Sequence, residues 1–208
     1  MNHSLRPATT PPAPLAVLAA GLGLLGDAQG DVAVTGVTLD SRAVQPGWLY
    51  VALPGTRTHG AEFAGAAVAA GAAAILTDHE AGGDLAALGV PVLYTENARH
   101  AAAVLSARFY GEPARAMTMF GVTGTNGKTT TVALLQAGLA AAGRLAGTIG
   151  TIGFQLGEEE LWTARTTVTT PESPDLQALL AVMQQRGADS VALEVSSHAM
   201  ALSRVDGI

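Results

Sequence analysis

Several residue classes are scarce in this chain, and each scarcity narrows the kind of protein that it encodes. The 208 residues include no cysteine, which excludes disulfides and thiol chemistry and fits a reducing cytoplasm. Charged residues make up only 13%, the formal net charge is -6 and no basic run occurs, so we expect no nucleic-acid partner. Hydrophobic residues still reach 49%, which predicts a folded globular chain with a real core.

A hydrophobic run long enough to cross a membrane is also missing. The apolar stretch from Leu15 to Leu25 follows Arg6 and a cluster of prolines, but it falls short of a membrane span. The following "GLLGDAQG" has no clear signal-cleavage pattern. We therefore expect an N-terminal helix here, preceded by a flexible leader over residues 1–14.

Strand and helix patterns alternate along the first half of the chain. Short strands are predicted in "DVAVTGVTLD", "WLYVAL", "AAAILTD" and "GVPVLYTE", and helices in "AEFAGAAVAAG" and "NARHAAAVLSARFY". Asn97 is the expected N-cap of the second helix. A linker, "GEPARA", follows, so we predict one small α/β domain over residues 15–112 and a second domain over residues 113–208.

The second domain is predicted to be a phosphate-loop domain with a parallel sheet. The strand "MTMFGVTG" precedes a glycine-rich loop, and "KTTTVALLQAGLAAAG" after the loop is helical. Further on, "RLAGTIGTIGF" is strand-like, a helix runs from near Ser173 to Gly187, and "SVALEV" has the pattern of a buried strand. The sequence stops at Ile208 in mid-pattern, so we expect this sheet to be truncated on its C-terminal side.

The loop "GVTGTNGKTT", Gly121 to Thr130, has the chemistry of a phosphate site. Its glycines allow the main-chain N–H groups to approach phosphate oxygens, and the helix behind it adds positive charge at its N-terminus. Lys128 would contact the β- and γ-phosphates, and Thr129 would offer a hydroxyl to Mg²⁺. The usual pattern, G-x-x-x-x-G-K-[ST], requires a glycine where Val122 stands. An ordinary glycine-rich turn before a helix is the alternative.

Glu194 is the predicted carboxylate partner of this loop. A nucleotide site needs an acidic group for its metal ion, usually at the end of a neighbouring strand, and Glu194 closes the apolar run "SVALEV". A glutamate in a buried strand is costly unless it is paired or bound to a metal. A structural salt bridge is the alternative to a metal site.

The loop resembles the variant phosphate loop of the Mur ligase superfamily, GTNGK[ST], which explains the displaced glycine. "TLDSRAVQPGWLYVALPG" is similar to the N-terminal domain that holds the UDP of a UDP-muramoyl substrate in that family. "TTPESPDLQALL" and "EVSSHAMALSRVDG" are similar to the central domain of the MurE type, which adds the third residue of the peptidoglycan stem peptide. The superfamily also includes folylpolyglutamate and cyanophycin synthetases.

The resemblance implies a role for each residue that matches a family motif. It implies ATP binding by Gly124, Thr125, Asn126, Gly127, Lys128, Thr129 and Thr130, magnesium binding by Thr129 and Glu194, and catalytic roles for Lys128 and Glu194. It implies uridine-nucleotide binding by Leu39, Ser41, Thr56, Arg57 and Thr58. It implies binding of the muramoyl-dipeptide by Thr169, Thr170, Ser196 and Arg204.

Some positions depart from the family pattern or have plainer interpretations. Val168 stands where asparagine often precedes the threonine pair, and Leu202 where some members have glutamine. Taken singly, Ser41 belongs to a turn capped by Asp40, the threonine pair leads into a helix, and His198 caps the turn after "EVSS". The order of the three motifs favours function.

The implied reaction is an ATP-dependent amide-bond ligation. ATP phosphorylates the D-glutamate carboxylate of UDP-N-acetylmuramoyl-L-alanyl-D-glutamate to an acyl phosphate, and the amine of an amino acid, diaminopimelate, lysine or similar, displaces phosphate. A complete ligase of this type also has a carbamylated lysine, a metal-site histidine and a C-terminal domain, none of which we locate in this sequence. We therefore expect the chain as given to be inactive alone. The alternatives are a non-catalytic nucleotide- or UDP-sugar-binding module and another superfamily ligase.

Overall fold

Residues 5–26, 31–79, 81, 84–162 and 169–208 are described by the computed structural model. The chain divides into two units. The N-terminal unit is Thr9–Phe109, and the C-terminal unit contains the described residues of Met1–Ala8 together with Tyr110–Ile208. Among the helices of the described residues, none combines the length and the hydropathy that crossing a membrane requires.

A parallel sheet forms the centre of the N-terminal unit. Its strands are β3 (Gly36–Thr38), β4 (Trp48–Ala52), β5 (Ala74–Asp78) and β6 (Val92–Thr95), in that spatial order, and β1 (Ala13–Pro14) pairs separately with β2 (Ala33–Val34). The helices are α1 (Leu15–Ala19), α2 (Ala64–Ala69) and α3 (Ala98–Phe109). All five residues of β4 are buried, which accounts for its apolar sequence.

The first helix is shorter than the sequence predicts. It ends at Ala19, and Gly21 and Gly23 follow with φ of +72° and +63°, a left-handed conformation that stops the helix. Arg108 donates from Nη1 to the carbonyl oxygens of Leu18 at 2.6 Å and Ala20 at 2.7 Å. A cation from another helix therefore caps the end of α1. The predicted cap of α3 is confirmed, because Oδ1 of Asn97 accepts from the His100 N–H at 3.0 Å.

The C-terminal unit contains a mixed sheet with the spatial order β10-β9-β8-β11-β7. The strands are β7 (Thr118–Val122), β8 (Ala146–Gly150), β9 (Gly153–Leu156), β10 (Glu159–Trp162) and β11 (Ser190–Glu194), and the helices are α4 (Lys128–Ala141), α5 (Ser173–Gln185) and α6 (Ser197–Ala201). The predicted α/β class is confirmed. The predicted parallel sheet is present in β7, β11 and β8, and β9 and β10 extend it as antiparallel strands.

The sheet is mixed because the chain reverses its direction inside the segment "RLAGTIGTIGF". Gly150 pairs with Gly153 across a tight turn, and Gly153 has a φ of +126°, so the chain runs back as β9 instead of crossing over the sheet. β10 then adds a second antiparallel strand beside β9. One predicted strand is thus the start of a three-stranded meander.

The two long helices of the C-terminal unit differ in burial. Helix α5 packs its apolar side chains into a core with β8, β9 and β11, and Leu176, Leu180 and Met183 are fully buried. Helix α4 buries only Val132 among its described side chains and leaves Leu134 68% exposed. The stability of this unit therefore comes mainly from α5 and the sheet.

Part of the predicted leader has contacts of its own. Arg6 donates from Nη2 to Oδ1 of Asp175 at 2.7 Å and from Nη1 to the Tyr110 hydroxyl at 2.6 Å. Leu5 packs against the core of the same unit. Leu5 and Arg6 of the predicted leader thus have partners far along the chain. The division between the units falls between Phe109 and Tyr110.

Candidate functional site

The glycine-rich loop joins β7 to α4 through two unusual backbone conformations. Gly124 has a φ of +140° and Gly127 a φ of +82°, both in the region that L side chains rarely adopt. Gly127 is also the N-cap residue of α4. The loop is exposed from Gly124 to Gly127, so its main chain is accessible to a ligand. Both glycines that the sequence singles out are required by the geometry.

The N-terminus of α4 has the features of an anion site. Among the described residues no side chain caps it, and its first turn contains no acidic residue. The first intrahelical bond at this end runs from the Thr131 N–H to the Gly127 carbonyl oxygen, so the N–H groups at the start of the helix point out of it. A helix of 14 residues adds its dipole. The helix end therefore directs main-chain N–H groups and positive potential toward a phosphate.

Lys128 crosses the loop from the first residue of α4. Its Nζ donates to the Gly124 carbonyl oxygen at 2.7 Å, with a longer contact of 3.5 Å to the Thr125 carbonyl oxygen. It is the only lysine in the sequence. A full positive charge therefore lies over the loop, held by carbonyl oxygens that a phosphate would replace.

Glu194 lies at the same edge of the sheet as the loop. It ends β11, which is paired on both sides, by β7 and by β8. Its Cα partner on β7 is Val122, the last strand residue before the loop, and the Val195 N–H donates to the Val122 carbonyl oxygen at 2.8 Å. Neighbouring parallel strands thus deliver the phosphate loop and a carboxylate to one edge.

Glu194 is 1% exposed, and among the described residues its carboxylate has two donors, both from Thr151. Oε1 of Glu194 accepts from the Thr151 N–H at 3.1 Å, and Oε2 accepts from the Thr151 hydroxyl at 3.2 Å. Within the described part of the chain, no Lys, Arg or His side chain forms an ion pair with it. The salt-bridge alternative thus has no support in the described residues.

The donor chemistry at this edge fits Mg²⁺. A glutamate carboxylate and a threonine hydroxyl are hard oxygen donors, which Mg²⁺ prefers. In the described ranges no three His, Cys, Asp or Glu side chains cluster as a metal site would require. Glu194 and Thr129 are the residues that would hold such an ion, each through a side-chain oxygen.

Thr170 joins β11 to the segment before α5. Its side chain is fully buried, and its hydroxyl donates to the Glu194 carbonyl oxygen at 2.9 Å and accepts from the Ser196 N–H at 3.2 Å. Thr169 instead directs its hydroxyl to the Thr151 hydroxyl, at 3.2 Å. The threonine pair therefore contacts Glu194 in two ways, one through the backbone and one through Thr151. Val168 lies outside the described residues.

Ser196 and Arg204 also have partners within the protein. Ser196 caps α6, because its Oγ accepts from the Ala199 N–H at 3.1 Å, so the cap is Ser196 rather than His198. Arg204 is 8% exposed and donates from Nη1 to the Thr170 carbonyl oxygen at 3.1 Å, while Nη2 lies 2.6 Å from Oε1 of Glu172. Leu202 is the C-cap residue of α6. The structure thus gathers all four predicted dipeptide residues around the end of β11.

The N-terminal unit contains a cavity of about 620 Å³ near the end of β4. Every predicted uridine-nucleotide residue lines it: Leu39, Ser41, Thr56, Arg57 and Thr58. Arg42, Tyr50, Phe63 and Arg99 line it as well, and sequence reasoning missed them. Arg42 follows a predicted residue directly, but Phe63 and Arg99 come from other segments and leave no local signal.

Hydrogen bonds shape both loops of this cavity. Asp40 caps the turn at Ser41–Ala43 by accepting the Arg42 N–H at 3.0 Å, and it also accepts from the Arg42 guanidinium at 2.8 and 2.9 Å. These bonds lower the pKa of Asp40. The second loop is closed by the bond from the Gly60 N–H to the Leu53 carbonyl oxygen, at 2.8 Å. The turn cap at Asp40 that the sequence suggests is therefore present, and the turn that it caps borders the cavity.

Tyr50 forms a buried part of the cavity wall. Its hydroxyl donates to the Gly60 carbonyl oxygen at 2.9 Å. Burial raises the pKa of the Tyr50 phenol, and the nearby Ser41 hydroxyl acts in the opposite direction. Three arginines and a neutral phenol thus face this space, with Asp40 as the acidic group at its edge. Such a lining suits a ligand that carries phosphate and a ring.

The loop, the helix terminus and the strand-end glutamate define the C-terminal unit as a phosphate-loop nucleotide-binding domain. A family model described as the Mur ligase middle domain matches residues 122–208. A second, described as "Mur ligase family, catalytic domain", matches residues 33–110. The chain belongs to the Mur ligase family, which confirms the resemblance in its sequence.

Sequence similarity to named relatives extends along nearly the whole chain. UDP-N-acetylmuramoyl-L-alanyl-D-glutamate–2,6-diaminopimelate ligase from Streptomyces avermitilis is 50% identical over 202 residues, which are 97% of this chain and 39% of that protein. UDP-N-acetylmuramyl-tripeptide synthetase from Leifsonia xyli subsp. xyli is 45% identical over 207 residues, 99% of this chain and 40% of that protein. This chain thus spans about two fifths of the length of these relatives.

A solved structure supports the fold. The structure of a UDP-N-acetylmuramoyl-L-alanyl-D-glutamate–2,6-diaminopimelate ligase superposes with a TM-score of 0.71 at 27% identity, covering 85% of this chain and 34% of that one. MurF from Acinetobacter baumannii superposes with a TM-score of 0.61 at 17% identity, which shows a shared fold alone.

Proposed function

We propose that this chain carries the UDP-substrate-binding and ATP-binding domains of an ADP-forming ligase of peptidoglycan synthesis. The ligase adds the third amino acid to UDP-N-acetylmuramoyl-L-alanyl-D-glutamate. The observation that carries the proposal is the pairing of Glu194 with Val122 on adjacent strands, which brings the proposed metal carboxylate and the ATP loop to one sheet edge. The 50% identity to a ligase named for this substrate supports the choice of acceptor.

The third amino acid that we propose is diaminopimelate. Relatives at 50% and 48% identity are both named as 2,6-diaminopimelate ligases. Lysine, the other amino acid that the family resemblance suggests, appears in neither name. We also propose a cytoplasmic location, because ATP is a substrate and a chain without cysteine suits a reducing compartment.

In this proposal the two units bind different substrate groups. The N-terminal domain, residues 15–112, holds the uridine nucleotide in the cavity that Leu39, Ser41 and Thr56–Thr58 line. Arginine guanidinium groups form bidentate hydrogen bonds with phosphate oxygens, so Arg42, Arg57 and Arg99 suit the diphosphate. The central domain, residues 113–208, holds ATP and the muramoyl-dipeptide.

The chemistry needs positive charge between two anions. An oxygen of the D-glutamate carboxylate attacks the γ-phosphorus and ADP leaves; the amino acid nitrogen then attacks the acyl carbon, phosphate leaves and the nitrogen loses a proton. Main-chain N–H groups from Gly124 to Thr130 would bind the phosphates, and Lys128 would exchange its carbonyl partners for their oxygens. Mg²⁺ held by Glu194 and Thr129 would supply further positive charge when bound.

Selective amine chemistry tests the nucleotide site. Because Lys128 is the only lysine, reductive methylation of the chain modifies one ε-amine besides the N-terminal amine, and mass spectrometry separates the two. We expect a non-hydrolysable ATP analogue with Mg²⁺ to protect Lys128 and to leave the N-terminal amine reactive. Equal methylation of Lys128 with and without the analogue contradicts the assignment.

Calorimetric titration tests the substrate site and separates the ligase from its superfamily relatives. We expect the chain to bind UDP-N-acetylmuramoyl-L-alanyl-D-glutamate and not folate substrates, and we expect Arg57→Ala to weaken that binding at least tenfold. Arg115→Ala, at an exposed arginine of the other unit, is the matched control. Absence of binding by the unaltered chain overturns the proposed substrate.

A further inference from the structure

We propose that Thr151, in the turn between β8 and β9, is the positioning residue that orients the Glu194 carboxylate for its ligand and ties it to Thr169. The inference rests on the proposed function, in which Glu194 is a metal ligand. Thr151 belongs to none of the motifs that identify the family in this sequence. Its importance follows from the contacts around one buried carboxylate.

Thr151 gives each carboxylate oxygen a different donor. The main-chain N–H bonds Oε1 at 3.1 Å, and the hydroxyl bonds Oε2 at 3.2 Å. Two bonds from one residue fix the plane of the carboxylate, whose side chain would otherwise rotate about three bonds. Each oxygen keeps a further lone pair for a cation, because an ionised carboxylate accepts about four hydrogen bonds.

Gly150 provides the space that this arrangement needs. A Cβ atom at Gly150 would overlap Oε1 of Glu194 and would lie 2.7 Å from Cδ and 2.8 Å from Cγ. Any other residue there would push the carboxylate away from Thr151. Gly150 and Thr151 therefore act together on Glu194, one by leaving space and the other by bonding.

The hydroxyl protons link Glu194 to a proposed substrate residue. The Thr151 hydroxyl has one proton, and an ionised carboxylate only accepts, so that proton points to Glu194. The Thr169 hydroxyl, 3.2 Å from the Thr151 hydroxyl, is then the donor of the next bond. This chain of Thr169, Thr151 and Glu194 links the orientation of the Thr169 hydroxyl to the position of the Glu194 carboxylate.

Binding of a non-hydrolysable ATP analogue by calorimetry, with Mg²⁺ and with EDTA, tests the inference. Thr151→Val removes the hydroxyl and keeps the N–H, so we expect the Mg²⁺-dependent gain in affinity to fall about tenfold, which corresponds to about 1.4 kcal/mol. Affinity in EDTA should stay unchanged. Thr151→Ser restores the hydroxyl and should return the gain to within about threefold of the unaltered chain.

Thr118→Val is the matched control, because it removes an exposed hydroxyl bond of 3.2 Å, to Arg144, at the opposite end of the same sheet. Its Mg²⁺-dependent gain should equal that of the unaltered chain. If Thr151→Val does not fold by circular dichroism, Thr151→Ala replaces it, since it too keeps the N–H and loses the hydroxyl.

The outcomes separate this inference from the proposed function. If the unaltered chain binds the analogue equally with Mg²⁺ and with EDTA, the proposed metal site fails. If the unaltered chain shows the gain and Thr151→Val retains it, the positioning role is overturned while the proposed function stands. An equal loss in Mg²⁺ and EDTA also overturns the inference, because Thr151 then supports only the fold.

Discussion

Gly150 and Glu194 fit together so closely that the glycine has no space for a side chain. A Cβ atom at Gly150 would overlap the Glu194 carboxylate and come within 2.7 Å of its Cδ. Both residues lie at strand ends, Gly150 closing β8 and Glu194 closing β11. The neighbouring parallel strands therefore set the position of a buried acid, and one missing methyl group makes this possible.

Gly150→Ala should displace the Glu194 carboxylate from Thr151. We expect the variant to lose nearly all of the Mg²⁺-dependent gain in affinity for an ATP analogue, measured by calorimetry. Gly138→Ala is the matched control, because the position is inside α4 and no described atom outside the neighbouring helix backbone lies within 4 Å of a Cβ there. It should bind normally and raise the free energy of unfolding by up to about 1 kcal/mol. Normal Mg²⁺ dependence in Gly150→Ala would contradict this prediction.

Lys128→Ala should abolish binding of the ATP analogue and leave the fold intact. The amine bonds only loop carbonyls in the described structure, at 2.7 and 3.5 Å, so its loss removes charge from the phosphate site without disturbing the core. Affinity should fall at least tenfold, and the circular dichroism spectrum should not change. Arg115→Ala removes an exposed charge elsewhere in the unit and should bind normally. A change within about twofold, under about 0.5 kcal/mol, means that the role of Lys128 is wrong.

Two ion pairs of equal length should differ in their effect on stability. Arg204 and Glu172 are 2.6 Å apart with 10% and 30% exposed side chains, whereas Arg186 and Glu159, also 2.6 Å apart, are 47% and 60% exposed. Arg204→Ala should lower the free energy of unfolding by about 3 kcal/mol, because it removes a largely buried guanidinium together with its ion pair and its bond to Thr170. Arg186→Ala should cost less than about 1 kcal/mol.

Urea unfolding in a Trp48→Phe background measures both values, since Trp162 is then the only tryptophan and lies in the C-terminal unit. Similar losses for the two variants would show that burial does not determine the strength of these pairs.

Tyr50 should make the N-terminal unit sensitive to alkaline pH. Burial raises the pKa of its phenol in the folded state above the usual value near 10. Above that value the unfolded chain loses the proton first, so the folded state binds more protons and stability falls as pH rises through the folded pKa. Below the unfolded pKa the stability is fully present.

Tyr50→Phe should therefore reduce the loss of stability between pH 9 and 11 and cost about 1 kcal/mol at pH 8, through the lost bond to Gly60. Urea unfolding followed by Trp48 fluorescence in a Trp162→Phe background reports on this unit. An unchanged dependence on pH in Tyr50→Phe would exclude this residue as its source.

The loop and its helix were predictable because their signals are local. The positive φ angles of Gly124 and Gly127, the uncapped start of α4 and the charge of Lys128 all follow from a few adjacent residues. The N-cap at Asn97 is local in the same way. The reversal between β8 and β9 was missed, because apolar strand residues continue through it and only the flanking glycines mark the turn.

The sequence by itself determined the alternation of strands and helices, the phosphate loop, and the family to which the chain belongs, since each depends on the order and spacing of nearby residues. The tertiary structure alone decided which groups surround Glu194, because Gly150, Thr151 and the threonine pair come from separate segments that meet only in the folded sheet. It also decided that Phe63 and Arg99 share a cavity with Ser41. Such contacts leave no periodic pattern in the sequence, because they form only when distant segments pack together.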